Sequence, residues 1–554
     1  MNPENSQFQR PIYGNYPPQQ GQYIPPQGQY YAPQPYEAPP STPPLRKAAN
    51  SRDLIFAAIF ALLLVLAANF YLWGGAGLGA AVVTSLTYIV ALTYLAAHRC
   101  RVTLYGIVCG LAYLAGAASL VFSNHGFIKF LMSLCLMILG TVSIMEAMGL
   151  RSSKDSSYRT LGDFFYTAFG LSFGSIGRCV YALFHKETAD SNENRKIGVV
   201  LVGVACALPI LFIIVPLLMS SDAAFSGLFE KFSSDRLGEM VGSLIFGLFA
   251  ALLIFGRLFS APLMERKQKE ATGTGGIVPA AICAFLSTIA LVYVVYLFSQ
   301  LAYFFNAFSG LLPEDFTVAE YARRGFFEMC AVCAINLFII FLATLLCKKD
   351  KPTAPLAVRL ISLFFCIFSL VLIATSLSKM FLYIDSFGMT RLRIYTSLFM
   401  LFLAVLFLAV SLRLFIWKIP YMKIAVVTAS LLLIATCFAN VDSIVAQYNV
   451  TAYKSGKLDS IDMGTLEILD RDSTVPWLLE LTEDKNTSVA NDATRILNYA
   501  FEDHFQTDAY WENAQYIRVY EDSKIDWRAY NTSYAKAHNL LRQWGKDKFT
   551  ENKL

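Results

Sequence analysis

Histidine is scarce in this chain of 554 residues, with only five, at positions 98, 125, 185, 504 and 538. Scattered in this way they complete neither a His-Glu-x-x-His zinc helix nor a hydrolase triad, and no Gly-x-Ser-x-Gly elbow offers a nucleophile. Charge is scarce too: Asp, Glu, Lys and Arg make up 15% of the residues against 56% hydrophobic ones, far from an ordinary soluble domain. The formal balance of +5 is spread over separate loops, so nucleic acid is not an expected partner. Cysteine is missing from Val441 onward, which excludes disulfide stapling of the C-terminal segment. Cys330-Ala331-Val332-Cys333 has the spacing of a zinc pair, but no second pair completes four ligands. Thr272-Gly273-Thr274-Gly275-Gly276 lacks the Gly-Lys-Ser/Thr of a phosphate loop. No catalytic residue, metal site or cofactor is therefore expected. A cleavable signal peptide is not expected either, because the first apolar run begins only at Leu54 and is long enough to remain as an anchor.

Long apolar runs are what the chain has in abundance. About eleven stretches approach the roughly 20 residues that cross a bilayer: 54–73, 76–97, 102–122, 127–150, 197–220, 241–260, 277–301, 326–346, 356–380, 394–417 and 424–440. Lys and Arg gather in alternate connections: Arg99 and Arg101, the stretch 151–196, the stretch 257–269, Lys348, Lys349 and Lys351, and Lys418 and Lys423. All of these fall on one side, which the excess of positive charge in inner loops makes cytoplasmic. The expected location is a bacterial plasma membrane, with the N-terminus cytoplasmic and the C-terminus extracytoplasmic. Within the long loop, residues 161–183 are rich in Phe and Tyr and flanked by basic residues, as in an interfacial helix or shallow re-entrant segment.

Residues 1–50 repeat Pro, Gln, Gly and Tyr, as in Tyr30-Tyr31-Ala32-Pro33-Gln34-Pro35-Tyr36, and cannot bury a core. They are expected to be a disordered cytoplasmic tail, a solvated spacer or a Pro-motif ligand. From Val441 the character turns soluble, with acidic residues in excess of basic ones. Val489, Ala493, Ile496, Leu497, Ala500 and Phe501 share one helix face, as do Tyr534, Ala537, Leu541 and Trp544. The expected fold class is all-α: a polytopic helical membrane bundle of about 11 transmembrane helices over 51–440, a small helical soluble C-terminal domain over 441–554, and the tail over 1–50.

Several stretches resemble an uncharacterised family of bacterial multi-pass membrane proteins, the domain of unknown function numbered four-one-seven-three, and its relative four-one-five-three. They are Ala207-Leu208-Pro209 through Pro216 to Asp222 and Phe225, then Gln300-Leu301-Ala302-Tyr303, then Tyr321-Ala322-Arg323-Arg324-Gly325-Phe326-Phe327-Glu328. Tyr383-Ile384-Asp385-Ser386-Phe387-Gly388-Met389-Thr390-Arg391-Leu392-Arg393, Asn440-Val441-Asp442 and Asp526-Trp527-Arg528 follow in the same order. The resemblance covers about Lys196 to Arg542. It implies an envelope location and carries no reaction or substrate.

On the expected topology Asp222, Gln300, Tyr303, Tyr321, Arg324, Glu328, Tyr383, Asp385, Arg391, Arg393, Asn440 and Asp442 fall in one layer at the outer ends of the spans. Ionisable groups so close to hydrocarbon pair with one another or line a wet cavity. Two readings follow: interfacial caps and anchors, or a pocket in which Arg324, Arg391 and Arg393, with Glu328, Asp222 and Asp385, bind an anionic lipid headgroup or envelope polymer. Lys129 and Glu146 lie near opposite ends of the fourth run and can snorkel. Pro209 and Pro216 kink the fifth, a feature shared with transporters. The function expected first is a non-enzymatic envelope or signalling component whose C-terminal domain meets protein partners. A transporter or flippase for an anionic or lipid-linked substrate comes second, and a membrane-embedded transferase third.

Overall fold

The computed structural model describes residues 49–98, 103–122, 125–150, 158–184, 214, 217–222, 225, 227, 236–260, 276–309, 326–348, 354–416, 418–512, 515–522, 530–546 and 550–551. The tail, most of the fifth apolar run with its two prolines, Tyr321 and Arg324 lie outside the described residues.

Helix α1 (Ser51–Leu72) starts at a capping box, in which the Asn50 side chain accepts from the Asp53 amide and the Asp53 carboxylate accepts from the Asn50 amide. It is followed by α2 (Leu78–Ala97), α3 (Leu104–Ser119) and α4 (Gly126–Ala147). A helical segment then runs through α5 (Tyr158–Phe165), a π-helical turn (Tyr166–Gly170), α6 (Leu171–Gly174) and α7 (Ile176–Phe184). Leu161, Phe165, Phe169 and Phe173 form an exposed apolar stripe along it, suited to the bilayer interface. The later helices are α8 (Arg236–Ser260), α9 (Pro279–Ser309), α10 (Phe326–Leu346), α11 (Leu356–Phe387), α12 (Arg391–Phe415) and α13 (Tyr421–Ala439). Among the described residues nine helices are long and apolar enough to cross a membrane, and α3 is a shorter apolar one. Large side chains such as Phe298 (71% exposed) and Leu291 (67% exposed) cover their outer faces. That much apolar surface is stable only against lipid, so the chain is a multi-pass, membrane-type helical protein.

Several packing groups build the bundle, one of them joining Ala80 of α2, Ala117 of α3, Met132 of α4 and Ile434 of α13. Phe60, Tyr94, Phe255 and Leu258 join α1, α2 and α8, and Gly247 lets α8 approach so closely that a Cβ there would collide with the Val65 backbone. Phe365, Phe368, Met400 and Phe407 anchor the core of α9 to α12. Helix α13 packs against α3, α4 and α12 and so ties the groups together.

Helix α13 passes into α14 (Val441–Lys454) through Asn440, which adopts the left-handed conformation (φ 46°). Beyond it lie α15 (Met463–Glu467), α16 (Arg471–Leu479), α17 (Thr487–His504) and α18 (Thr532–Gly545). Their core contains Val445, Val450, Val475, Leu478, Ile496, Phe501 and Leu541, all fully or almost fully buried. Between α17 and α18 strands β1 (Phe505–Glu512) and β2 (Gln515–Asp522) pair antiparallel, Phe505 opposite Asp522, and β3 (Thr550–Glu551) adds to β2 in parallel. Among the described residues this short sheet is a local addition to a mostly helical structure. Residues 46–554 form one compact unit.

Candidate functional site

The connection from α11 to α12 is the turn Gly388-Met389-Thr390, and it faces α14. Gly388 has φ 76°, a conformation that favours glycine, and a Cβ there would sit 2.6 Å from Asn449 Oδ1. Asn449 on α14 reads the turn with both ends of its amide. It accepts from the Met389 amide at 2.6 Å and donates to the Met389 carbonyl at 2.9 Å. Thr390 caps α12 by accepting from the Arg393 amide.

Arg391 Nε and one terminal nitrogen donate to the two oxygens of Asp442, at 2.5 and 2.9 Å. Asp442 is 2% exposed, and its second oxygen also accepts from the Asp470 amide at 3.1 Å, at the entrance to α16. Asn440 donates to Ser473 Oγ at 2.9 Å and Ser533 Oγ at 2.8 Å, which gathers the starts of α14, α16 and α18. The 530–532 segment adds two backbone bonds to the bundle. The Leu78 amide donates to the Tyr530 carbonyl, and the Thr532 amide to the Val121 carbonyl.

On the rim, Asp385 accepts from Lys457 at 2.8 Å and from Tyr448 at 3.1 Å. The carboxylate and the tyrosine hydroxyl hold the Lys457 ammonium above its ordinary range. His125, which precedes α4, is pushed the other way, by burial first and by the Arg391 charge second.

Arg391, Arg393 and Asp385 thus meet around one turn. Arg393 lies with its guanidinium 4.0 Å from the centre of the Tyr383 ring and donates to the Phe387 and Gly388 carbonyls. Arg391 and Arg393, two of the three arginines expected to hold an external anion, thus donate to the protein's own acceptors, and the third, Arg324, lies outside the described residues. Glu328 is exposed in the first turn of α10, and Asp222 is exposed after 217–221; neither enters the hydrogen bonds given above. Lys129 donates to the Gly75 carbonyl at 2.7 Å, and Glu146 lies 3.5 Å from Lys423. Mid-depth Asn336 is fully buried, accepting from Tyr293 at 2.6 Å and donating to Ser369 at 3.0 Å. The Cys333 thiol points to the Ser369 carbonyl at 3.7 Å.

Other polar groups gain significance only in three dimensions. Asp53 is 2% exposed and accepts from Tyr94 at 3.1 Å, and Arg257, read as part of a basic loop, is buried and donates to Thr141 at 3.0 Å. His504, 1% exposed, lies 2.8 Å from Asp472 and 3.4 Å from the His538 ring nitrogen. Chemically the joint can do one thing well: it fixes the helices that follow Asn440 to the ends of α11, α12 and α13 through paired charges and satisfied amides.

A family described as Domain of unknown function (DUF4153) matches residues 108–481, from α3 to just past α16, and so includes Arg391, Asp442, Asn449 and Asp470 but not Ser533 or the 530–532 segment. It is the second of the two related families that the sequence resembles. Its match begins well before Lys196 and stops before the strands. No curated protein and no solved structure matches.

Proposed function

The chain belongs to the DUF4153 family, and from that footing we propose that it is a non-enzymatic coupling component of a bacterial envelope. Its unit over 441–554 stands outside the plasma membrane and meets protein partners, and the bundle shares its position. One observation carries this reading: the buried Arg391–Asp442 pair, with Asn449 and Asn440 beside it, bonds the soluble unit to the bundle instead of tethering it on a linker. A partner that moves the unit therefore moves α11, α12 and α13. The orientation is supported by the alternation of basic connections along the sequence and by Lys348, Lys418 and Lys423, which follow α10, follow α12 and begin α13, at the ends away from Asn440.

The test is genetic. A strain lacking the chain is complemented with wild type or with Asp442→Asn, and envelope permeability is read with protein abundance. A variant of normal abundance that fails to complement supports coupling, whereas full complementation refutes it. On intact cells a membrane-impermeant thiol reagent should label Cys at the exposed position Ser460 and not at Ser41. Movement of a fluorescent anionic lipid across proteoliposomes, faster than across empty vesicles, would favour a flippase instead.

A further inference from the structure

The end of the bundle opposite the soluble unit holds a cavity of about 440 Å³. Its walls are apolar: Leu337 and Phe341 from α10, Leu406 and Val410 from α12, with Leu161 of the interfacial segment beside them. On α10 its lining runs from Ala334 to Leu345, about 16 Å along that helix at 1.5 Å per residue. Phe338 on the same wall is 59% exposed, so the cavity faces the hydrocarbon.

The polar end is different. Arg359, in the first turn of α11, and Arg413, in the last turn of α12, both line the cavity. Antiparallel neighbours place both at the depth where headgroups begin. Arg413 donates to the Ile419 carbonyl at 3.0 Å and lies 5.9 Å from the Tyr421 ring centre. Arg359 reaches the Leu414 carbonyl at a long 3.4 Å, and its Nε is buried without a hydrogen-bond partner. A buried guanidinium N–H with no acceptor is costly, and an acceptor supplied from outside removes that cost. Among the described residues, none of those that line the cavity is a carboxylate.

We infer that this cavity binds one anionic phospholipid, with an acyl chain between α10 and α12 and the phosphate held by Arg359 and Arg413. The chemistry is matched at both ends: apolar depth for the chain, and two planar donors for phosphate oxygens in a partly dehydrated setting. A zwitterionic lipid would fit the walls equally but brings a cation to the arginines. Free phosphate would meet the arginines without the burial of the chain. This inference does not depend on the coupling role proposed above.

Full-length protein in nanodiscs of mixed phosphatidylglycerol and phosphatidylcholine, released into the gas phase, reports which lipid it retains. The wild type should keep phosphatidylglycerol at least tenfold over its share of the bilayer. Arg359→Gln with Arg413→Gln should abolish that preference, and Val410→Trp, which fills the cavity, should remove the retained lipid. Inorganic phosphate added to detergent-purified protein should leave its thermal midpoint unchanged. Equal retention of the two lipids by the wild type overturns the inference, and that comparison stands even if neither variant folds. Unaltered preference in a folded double variant overturns it as well, as does stabilisation by phosphate alone, which would make the arginines an ion site without a lipid.

Discussion

Replacing Asp442 by Asn preserves shape and removes the charge that neutralises Arg391. Asp442 is 2% exposed and Arg391 21%, so the guanidinium is left with a neutral amide in a mostly dry setting. Stripping one partner from a buried pair costs about 3–5 kcal/mol. Because Arg391 keeps some solvent, the lower end applies, about 3 kcal/mol, with screening by water already discounted. Local opening of the joint should then become about 100-fold more frequent, at roughly 1.4 kcal/mol per factor of ten. Hydrogen–deuterium exchange of the protein in nanodiscs reads this directly. Amides of the first turns of α12 and α14 should exchange about 100-fold faster, while those in the core of α9 to α11 keep their rates. The cycle is closed with Arg391→Gln. Removing both charges should cost less than the sum of the single changes by more than about 1 kcal/mol, since the second substitution relieves the orphan left by the first. Additive effects, or exchange in Asp442→Asn within threefold of wild type, would refute the pairing argument.

The isolated fragment 441–554 should fold cooperatively, whereas 454–554 should not, because Val445 and Val450 on α14 are fully buried and each contributes about 1.5–3 kcal/mol; circular dichroism melts compare the two. Gly247→Val should lower the yield of monodisperse protein by gel filtration, since the added side chain meets the Val65 backbone and overpacking costs about 1–3 kcal/mol. His125 is held below its ordinary value of 6.5, so the stability it contributes is complete above pH 6.5 and drains away as pH falls through its depressed folded value. The exchange protection of the joint should decline over that window, and His125→Asn should flatten the decline.

How much of this was legible in the sequence varied with the range of the interaction. Spans were readable because hydropathy over some 20 residues is a local property, yet their ends were not. The run read as 356–380 is a helix to Phe387, since Lys379, Tyr383 and Asp385 end the apolar composition without ending the hydrogen-bond ladder. The hairpin at 505–522 was hidden between two amphipathic helices. Its signal was the density of Tyr, Trp, Ile and Val across Tyr510-Trp511 and Tyr516-Ile517-Arg518-Val519-Tyr520. At the site, the residue types Arg391, Arg393, Asp385 and Asp442 were all visible as a layer. Their partners were not, because no periodicity links Arg391 to a carboxylate 51 residues away or Asn449 to a turn 60 residues before it.

That separation of 51 residues also has a consequence in time. A ribosome adding about 5–20 residues per second delivers Asp442 some 3–10 s after Arg391. Throughout that interval α12 and then α13 enter the bilayer with the arginine unmatched at a helix end, held by water and lipid phosphate. The last two crossings can lock into the bundle only when the first turn of α14 has been made, so release from the insertion machinery and closure of the joint belong to the same late moment of synthesis. A chain truncated before Asp442 would insert its spans and still lack the bond that holds the ends of α12 and α14 in register.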